Sequence, residues 1–171
     1  TGWRQFVPDN ECTDFGVFRG ARLIDGVEIT RLHQFHDERG KVMKMLSSTD
    51  PVFEKFGEIY FSTTYPGVVK AWHRHREMTL NYAVVTGQIK FVLFDDRPDS
   101  NTRGEVQELF ISPENYCLVT VPPLVWNGFK AVGAKDAIVA NCATVPHSDS
   151  EIERLEPDSP KIPYSWHLVQ R

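Results

Sequence analysis

The sequence predicts an all-β barrel or sandwich. Short runs rich in Val, Ile, Phe, Tyr and Thr recur along the chain, turn residues separate them at regular spacing, and no stretch holds a helical period of apolar positions. Many short strands with frequent Gly, Pro, Asn and Asp punctuation belong to antiparallel architectures, in which each strand must soon reverse. The 171 residues suit one domain. A chain of this size buries roughly 70% of its unfolded surface and needs no metal or disulfide to fold.

Residues 1–25 form an N-terminal arm, irregular and punctuated by Pro8, Gly16 and Gly20. Trp3, Phe6, Phe15 and Phe18 are too many aromatics for a free tail, so the arm is expected to pack on the barrel or on a second subunit. Residues 26–171 form the barrel domain. Val27, Ile29 and Arg31 alternate with Glu28, Thr30 and Leu32, a weak strand pattern. Asp37-Glu38-Arg39-Gly40 is a turn, and 41–46 a second short strand. Asp50 as N-cap, Pro51 after it and Gly57 as a stop predict one or two helical turns over 50–57. In strand 58–65, Ile59, Phe61 and Thr63 share one face, and Tyr60, Ser62 and Thr64 the other. Pro66-Gly67 turns the chain into strand 68–76; strand 80–85 follows, and Thr86-Gly87 leads into 88–94, the clearest strand. A polar loop over 95–104 precedes strand 105–111, and a turn at 112–115 precedes strand 117–121, which Pro122-Pro123 ends. Strands 125–132 and 137–144 complete the set, and the tail beyond is rich in Pro, Ser and acidic residues.

A net charge of −4 argues against general binding to nucleic acid or a membrane surface. No apolar run approaches the ~20 residues of a membrane span, and no signal-peptide pattern is visible. Cys12, Cys117 and Cys142 are too few and too widely spaced for a disulfide framework or a zinc site. Cys117 and Cys142 lie in apolar runs and read as buried small hydrophobes. A reducing cytoplasm fits these features best.

Potential chemistry concentrates between Gly67 and Gly87. His73 and His75 stand one residue apart in a strand, with Lys70, Arg74 and Arg76 around them. Alternation puts Val69, Ala71, His73 and His75 on one face and Lys70, Trp72, Arg74 and Arg76 on the other. The small apolar residues mark the first face as interior. Two imidazoles inside a barrel suit proton transfer or metal binding, because imidazole titrates near neutrality; the bland alternative is a hydrogen-bonded core pair.

The spacing Gly67, five residues, His73-x-His75, eleven residues, Gly87 resembles the first motif of the cupin superfamily. In metal-binding cupins that interval also holds a glutamate, whose place falls at Thr79 or Leu80, and a second motif holds a third histidine, whose place is taken by Asn127. With two of four ligands absent, the resemblance implies no metal and no cofactor. Asp37-Glu38-Arg39-Gly40 and residues 67–75, 95–100, 111–115, 121–129 and 162–166, in that order, resemble the dTDP-4-dehydrorhamnose 3,5-epimerase family. The likeness covers residues 26–166. It implies a cupin jelly roll (a double-stranded β-helix barrel) with short flanking N-terminal strands and a C-terminal tail. It also implies a homodimer, no cofactor, and a nucleotide-linked 4-keto-6-deoxy sugar, dTDP-linked above all, as substrate.

Protons next to a C4 ketone are acidic because their removal gives an enolate. In the family a histidine paired with an aspartate is the base, a tyrosine is the acid, and a lysine lies near the ketone. The resemblance implies His73 as base and His75 and Asn127 as site residues. Lys70 stands where the family has an arginine, Arg39 matches an arginine that contacts the nucleotide, and Glu58 and Tyr60 fall at site-lining positions. Lys70, Arg39 and Arg76 are expected to meet the pyrophosphate; a solvated strand face is the plainer reading of these cations. Since alternation turns Lys70 away from His73, a bend or bulge must separate them if both touch the ligand. The chain departs from the family at Leu80 (its lysine), near Pro146 or His147 (its tyrosine) and at Lys44 (a glutamate), and the dyad aspartate has no counterpart. His147 is then the replacement acid. Alternatively the enzyme moves a proton along one face, as in 3,4-ketoisomerases, related cupins that carry an HxH followed by a basic residue, like His73-Arg74-His75-Arg76. The reading from another class is a non-catalytic nucleotide-sugar or carbohydrate-binding cupin; metal-dependent oxygenase chemistry is a third.

Overall fold

A computed structural model describes residues 23–167. Its strands are β1 (Glu28–Arg31), β2 (Gln34–Asp37), β3 (Gly40–Met43), β4 (Glu58–Thr64), β5 (Val69–His75), β6 (Leu80–Thr86), β7 (Gln88–Phe94), β8 (Val106–Ile111), β9 (Cys117–Val121), β10 (Trp126–Val132), β11 (Ala137–Ala143) and β12 (Ile152–Arg154). One antiparallel sheet runs β1-β9-β6-β11-β4, the other β12-β5-β10-β7-β8, and β2 and β3 form a separate hairpin. The chain changes sheet at most connections from β4 to β11, so sequence neighbours are seldom sheet neighbours. This is jelly-roll wiring, the architecture expected from the sequence.

Alternate residues of each sheet meet in the middle. Leu80 and Val84 of β6, Ile89, Phe91 and Leu93 of β7, Leu109 and Ile111 of β8 and Val119 and Val121 of β9 are all at most 1% exposed. Each such side chain contributes about 1.5–3 kcal/mol by leaving water. A second apolar cluster lies outside the sandwich, where Trp72, Val92, Phe94 and Trp126 are covered by Ile162 and Trp166. The C-terminal tail therefore docks on the outer face of β5, β7 and β10, with the Trp72 and Trp166 rings 5.0 Å apart. Gly87, at φ +69°, turns β6 into β7 where an added Cβ would stand 2.3 Å from the Asp136 carbonyl oxygen.

Several sequence expectations need correction. No helix forms over 50–57: the Asp50 carboxylate turns back to accept from the Ser47 N–H and from Lys44 Nζ, both at 2.8 Å, instead of capping a helix. The chain then runs extended into β4. The second strand ends at Met43, and β2 and β12 were not anticipated. Ile24, assigned to the arm, is a core residue at 1% exposure; residues 1–22, with the four arm aromatics and Cys12, lie outside the described residues. Cys117 is buried, but Cys142 only half so. No helix among the described residues is long and apolar enough to cross a membrane.

Candidate active site

The site is organised by an irregularity in β5. Against β10, Asn127 lies opposite His73 while Phe129 lies opposite Lys70, so three steps on β5 meet two on β10. The extra residue is a bulge at Ala71 and Trp72, whose connecting peptide is cis. Gly128 makes room for it: a Cβ there would stand 2.4 Å from the Ala71 Cβ. The bulge corrects the simple alternation of the sequence reading. Lys70 now faces the same space as His73 and His75, and Trp72 is buried on the other side beneath the tail.

That space is an open cavity of about 420 Å³. Glu58, Tyr60 and Ser62 of β4 form one wall, Tyr82 of β6 and Phe129 of β10 the floor, and Ile152 and Arg154 of β12 another wall. His147, on the segment after β11, also lines it. β12 pairs with β5 so that Ile152 stands opposite His75 and Arg154 opposite His73.

Two imidazoles face the cavity in different states of partnership, their rings 5.8 Å apart and nearly perpendicular. His73 has its pKa pushed down to about 3, chiefly by burial and further by the nearby charges of His75 and Arg154. It is neutral at physiological pH. Its Nε2 lies 3.3 Å from the Tyr82 hydroxyl. His75, 5% exposed, holds the Glu151 carboxylate with its Nδ1 at 2.5 Å. Burial pushes the Glu151 carboxyl up, but the Glu77 N–H, the His75 bond and the Met78 N–H outweigh it and hold the group below its ordinary value. Glu151 thus ties the end of β5 and the start of β6 to the strand that walls the cavity. Burial, and then Tyr60 beside it, raise the Tyr82 phenol well above its ordinary value, so it keeps its proton. The Tyr82 ring is packed edge-to-face against Phe91 and Phe129.

Positive charge comes from Lys70 and Arg154. Lys70 Nζ donates to Ser62 Oγ at 2.8 Å and to the Thr63 carbonyl at 2.6 Å, neutral partners that leave its charge uncompensated among the described residues. Arg154 makes no ion pair among them.

Of the sequence candidates, His73, His75, Lys70, Glu58, Tyr60 and His147 come together in this cavity. Asn127 does not line it: it is fully buried behind β5, and its Nδ2 donates to the His73 carbonyl. Arg39 sits apart on the β2–β3 hairpin, 86% exposed and paired with Asp37. Arg76 turns outward toward Glu153 at 3.4 Å. Arg74 lies over the Trp126 ring and pairs with Asp96 and Glu153. Tyr82, Arg154 and Glu151 escaped the sequence reading. Tyr82 carried a signal, a phenol at an inward position of an apolar strand; the other two lay in a segment read as tail. No three His, Cys, Asp or Glu side chains among the described residues are grouped to hold a metal ion.

The family model for dTDP-4-dehydrorhamnose 3,5-epimerase matches residues 22–171. The chain belongs to that family. A “Probable low-salt glycan biosynthesis epimerase” of Haloferax volcanii is 36% identical over 143 residues, 82% of this chain and 88% of that protein. A “Spore coat polysaccharide biosynthesis protein” of Bacillus subtilis is 30% identical over 151 residues, 87% of this chain and 100% of that protein. Among solved structures, a dTDP sugar isomerase of Desulfovibrio desulfuricans superposes with a TM-score of 0.82 at 45% identity, covering 85% of this chain and 95% of the other. Family membership makes the chain an epimerase-like sugar isomerase with the jelly-roll cupin fold.

Proposed function

We propose that this enzyme removes and returns a proton next to the C4 ketone of a nucleotide-linked 4-keto-6-deoxy sugar, dTDP-linked in the first instance, with His73 as the base. One observation carries the reading: His73 is held neutral in a cavity it shares with two cations, Lys70 and Arg154, that no carboxylate neutralises among the described residues. A neutral imidazole can accept the proton. Lys70 and Arg154 supply charge to the developing enolate and to the diphosphate of the ligand. Glu58, Tyr60 and His75 line the sugar, and His147 returns a proton from the wall after β11. Membership of a dTDP-sugar family and the likeness to a dTDP sugar isomerase support the ligand class.

The enzyme works in the cytoplasm as a homodimer. The outer face of the edge strand β4 supports the dimer: it carries Ile59 and Phe61, 52% and 64% exposed, and apolar groups on a sheet edge call for a covering partner. A monomeric mass in solution removes that part of the proposal.

The activity is tested with dTDP-4-keto-6-deoxyglucose, following product by proton NMR. Wild type converts it, and His73→Ala loses roughly 10²–10⁴-fold in rate. Product configuration distinguishes an epimerase from a 3,4-ketoisomerase. Equal turnover by His73→Ala refutes the assignment of the base.

A further inference from the structure

We infer that His75, oriented by Glu151, is the donor that holds the ketone oxygen while His73 takes the neighbouring proton. The inference rests on His73 being the base, and goes beyond it by assigning the group that meets the enolate oxygen.

The two carboxylate oxygens of Glu151 have separate tasks. Oε1 accepts from the backbone N–H groups of Glu77 and Met78, each at 2.9 Å, and Oε2 lies 2.5 Å from His75 Nδ1. A carboxylate accepts and cannot donate, so the hydrogen of that last bond sits on Nδ1. The other ring nitrogen, Nε2, has no hydrogen-bond partner among the described residues and is not sealed off, and the residue lines the cavity. Nε2 is thus the end of the ring that a substrate meets.

A hydrogen on Nε2 as well makes the ring an imidazolium, and Glu151 supplies the opposite charge within hydrogen-bond distance. His73 has no such carboxylate: its Nε2 faces the Tyr82 hydroxyl at 3.3 Å, and Arg154 stands opposite it on β12. Of two imidazoles whose rings are 5.8 Å apart, the paired one carries the charge and the unpaired one stays neutral. Rings at that spacing reach neighbouring atoms of one bound sugar, each across a hydrogen bond of about 3 Å. Lys70 and Arg154 add charge from the side walls, and His75 makes the direct bond.

The steps balance. The C–H bond next to the ketone breaks, and its proton joins His73. The bond's electron pair becomes a C=C bond, the C=O pair moves onto the oxygen, and the His75 Nε2 proton neutralises it as an enol. Collapse reverses these shifts: the enol proton returns to His75 Nε2, and a C–H bond forms with the proton from His147. His75 ends as it began. His73 passes its proton to water and His147 regains one, so no other reactant is consumed. Glu151 touches no substrate and is a positioning residue.

The test uses dTDP-4-keto-6-deoxyglucose with wild type, His73→Ala, His75→Gln, Glu151→Gln and the His75→Gln/Glu151→Gln double variant. Because dTDP has no ketone, His75→Gln should bind it within about threefold of wild type by calorimetry, which shows a formed cavity. His75→Gln should lower kcat by roughly 10²–10³-fold with KM nearly unchanged, as expected for a bond made in the transition state. Glu151→Gln keeps the shape but not the charge, and should lower kcat by at least about tenfold. The double variant should be no slower than His75→Gln, since Glu151 acts only through His75. A His75 that merely lines the sugar raises KM and leaves kcat alone. A Glu151 that merely braces β12 multiplies its loss onto that of His75→Gln. Either result overturns the inference while His73→Ala still loses its turnover. Where His75→Gln no longer binds dTDP, Glu151→Gln decides, and an unchanged kcat there overturns the inference. A wild type that leaves the sugar unconverted overturns the proposed reaction and this inference together.

Discussion

Gly128→Ala tests whether the β5 bulge sets the site. The added methyl would stand 2.4 Å from the Ala71 Cβ, 3.0 Å from the Ala71 Cα and 3.1 Å from the Lys70 carbonyl oxygen. Carbon atoms rest at about 3.5–4.0 Å, so the nearest contact is more than ~1 Å too close, and most of the crowded atoms are backbone. Overpacking of this kind costs about 1–3 kcal/mol. At ~2 kcal/mol, thermal unfolding falls by roughly 4–8 °C for a domain of this size. Turnover should suffer more than stability. The displaced segment runs from Lys70 to His73, and an error of about 1 Å in a positioned group costs on the order of 10²-fold. Adding Ala71→Gly removes the 2.4 Å contact and leaves two that need only a few tenths of an ångström. The double variant should recover more than half of both losses, with a coupling of about 1 kcal/mol or more. The assays are urea unfolding and initial rates on the dTDP sugar. A Gly128→Ala enzyme that melts and turns over like wild type, or a double variant whose losses simply add, would refute this account of the bulge.

Three further outcomes arise from the charges of the cavity. His73 takes its proton near pH 3 when folded but near 6.5 when unfolded, so the unfolded chain binds the proton first and stability falls as pH drops from 6.5 toward 3. Between pH 7 and pH 5 this group alone removes about 2 kcal/mol; His73→Gln should show that much less loss in urea midpoints, and equal losses would contradict it. Glu151 has the same sign over a lower window: its lowered carboxyl stabilises the fold above the ordinary value of 4.5, and the contribution fades as pH falls from there through the folded value. Glu151→Gln should therefore be destabilised at pH 7 by about 1–3 kcal/mol and match wild type in strong acid; a gap that persists there argues against the carboxylate as the cause. Arg154→Ala and Lys70→Ala should each weaken binding of dTDP by roughly tenfold, about 1.4 kcal/mol, read by calorimetric titration at low and high salt.

The wiring of the fold was legible because its signals are local. Alternation in β4, β7 and β9, the Thr86-Gly87 reversal and the break at Pro122-Pro123 place strands without knowledge of their partners. The Asp50 helix failed for the converse reason. Its start and stop signals were sound, but the Asp50 carboxylate found Ser47 and Lys44 first. In the site, motif residues brought by strands β4 and β5 were found, because they sit on periodic segments. Arg154 and Glu151 were not, since β12 is three residues long and its placement depends wholly on pairing with β5. The bulge was anticipated only as a condition for Lys70 and His73 to face one ligand. Its cause, the lack of a side chain at Gly128 on the neighbouring strand, is a contact between segments distant in sequence.

β12 also bears on how the enzyme comes into being. By the end of β11 every strand of the two sheets except β12 has been made, with His73, Tyr82 and Tyr60 among them. Glu151, Ile152 and Arg154 arrive later in the chain, and the tail that covers Trp72 later still. A ribosome therefore delivers the barrel before it delivers the last wall of the cavity. Until that wall is laid against β5, the nascent chain can hold a base without Arg154 opposite it, and competence for the reaction waits for β12 to emerge.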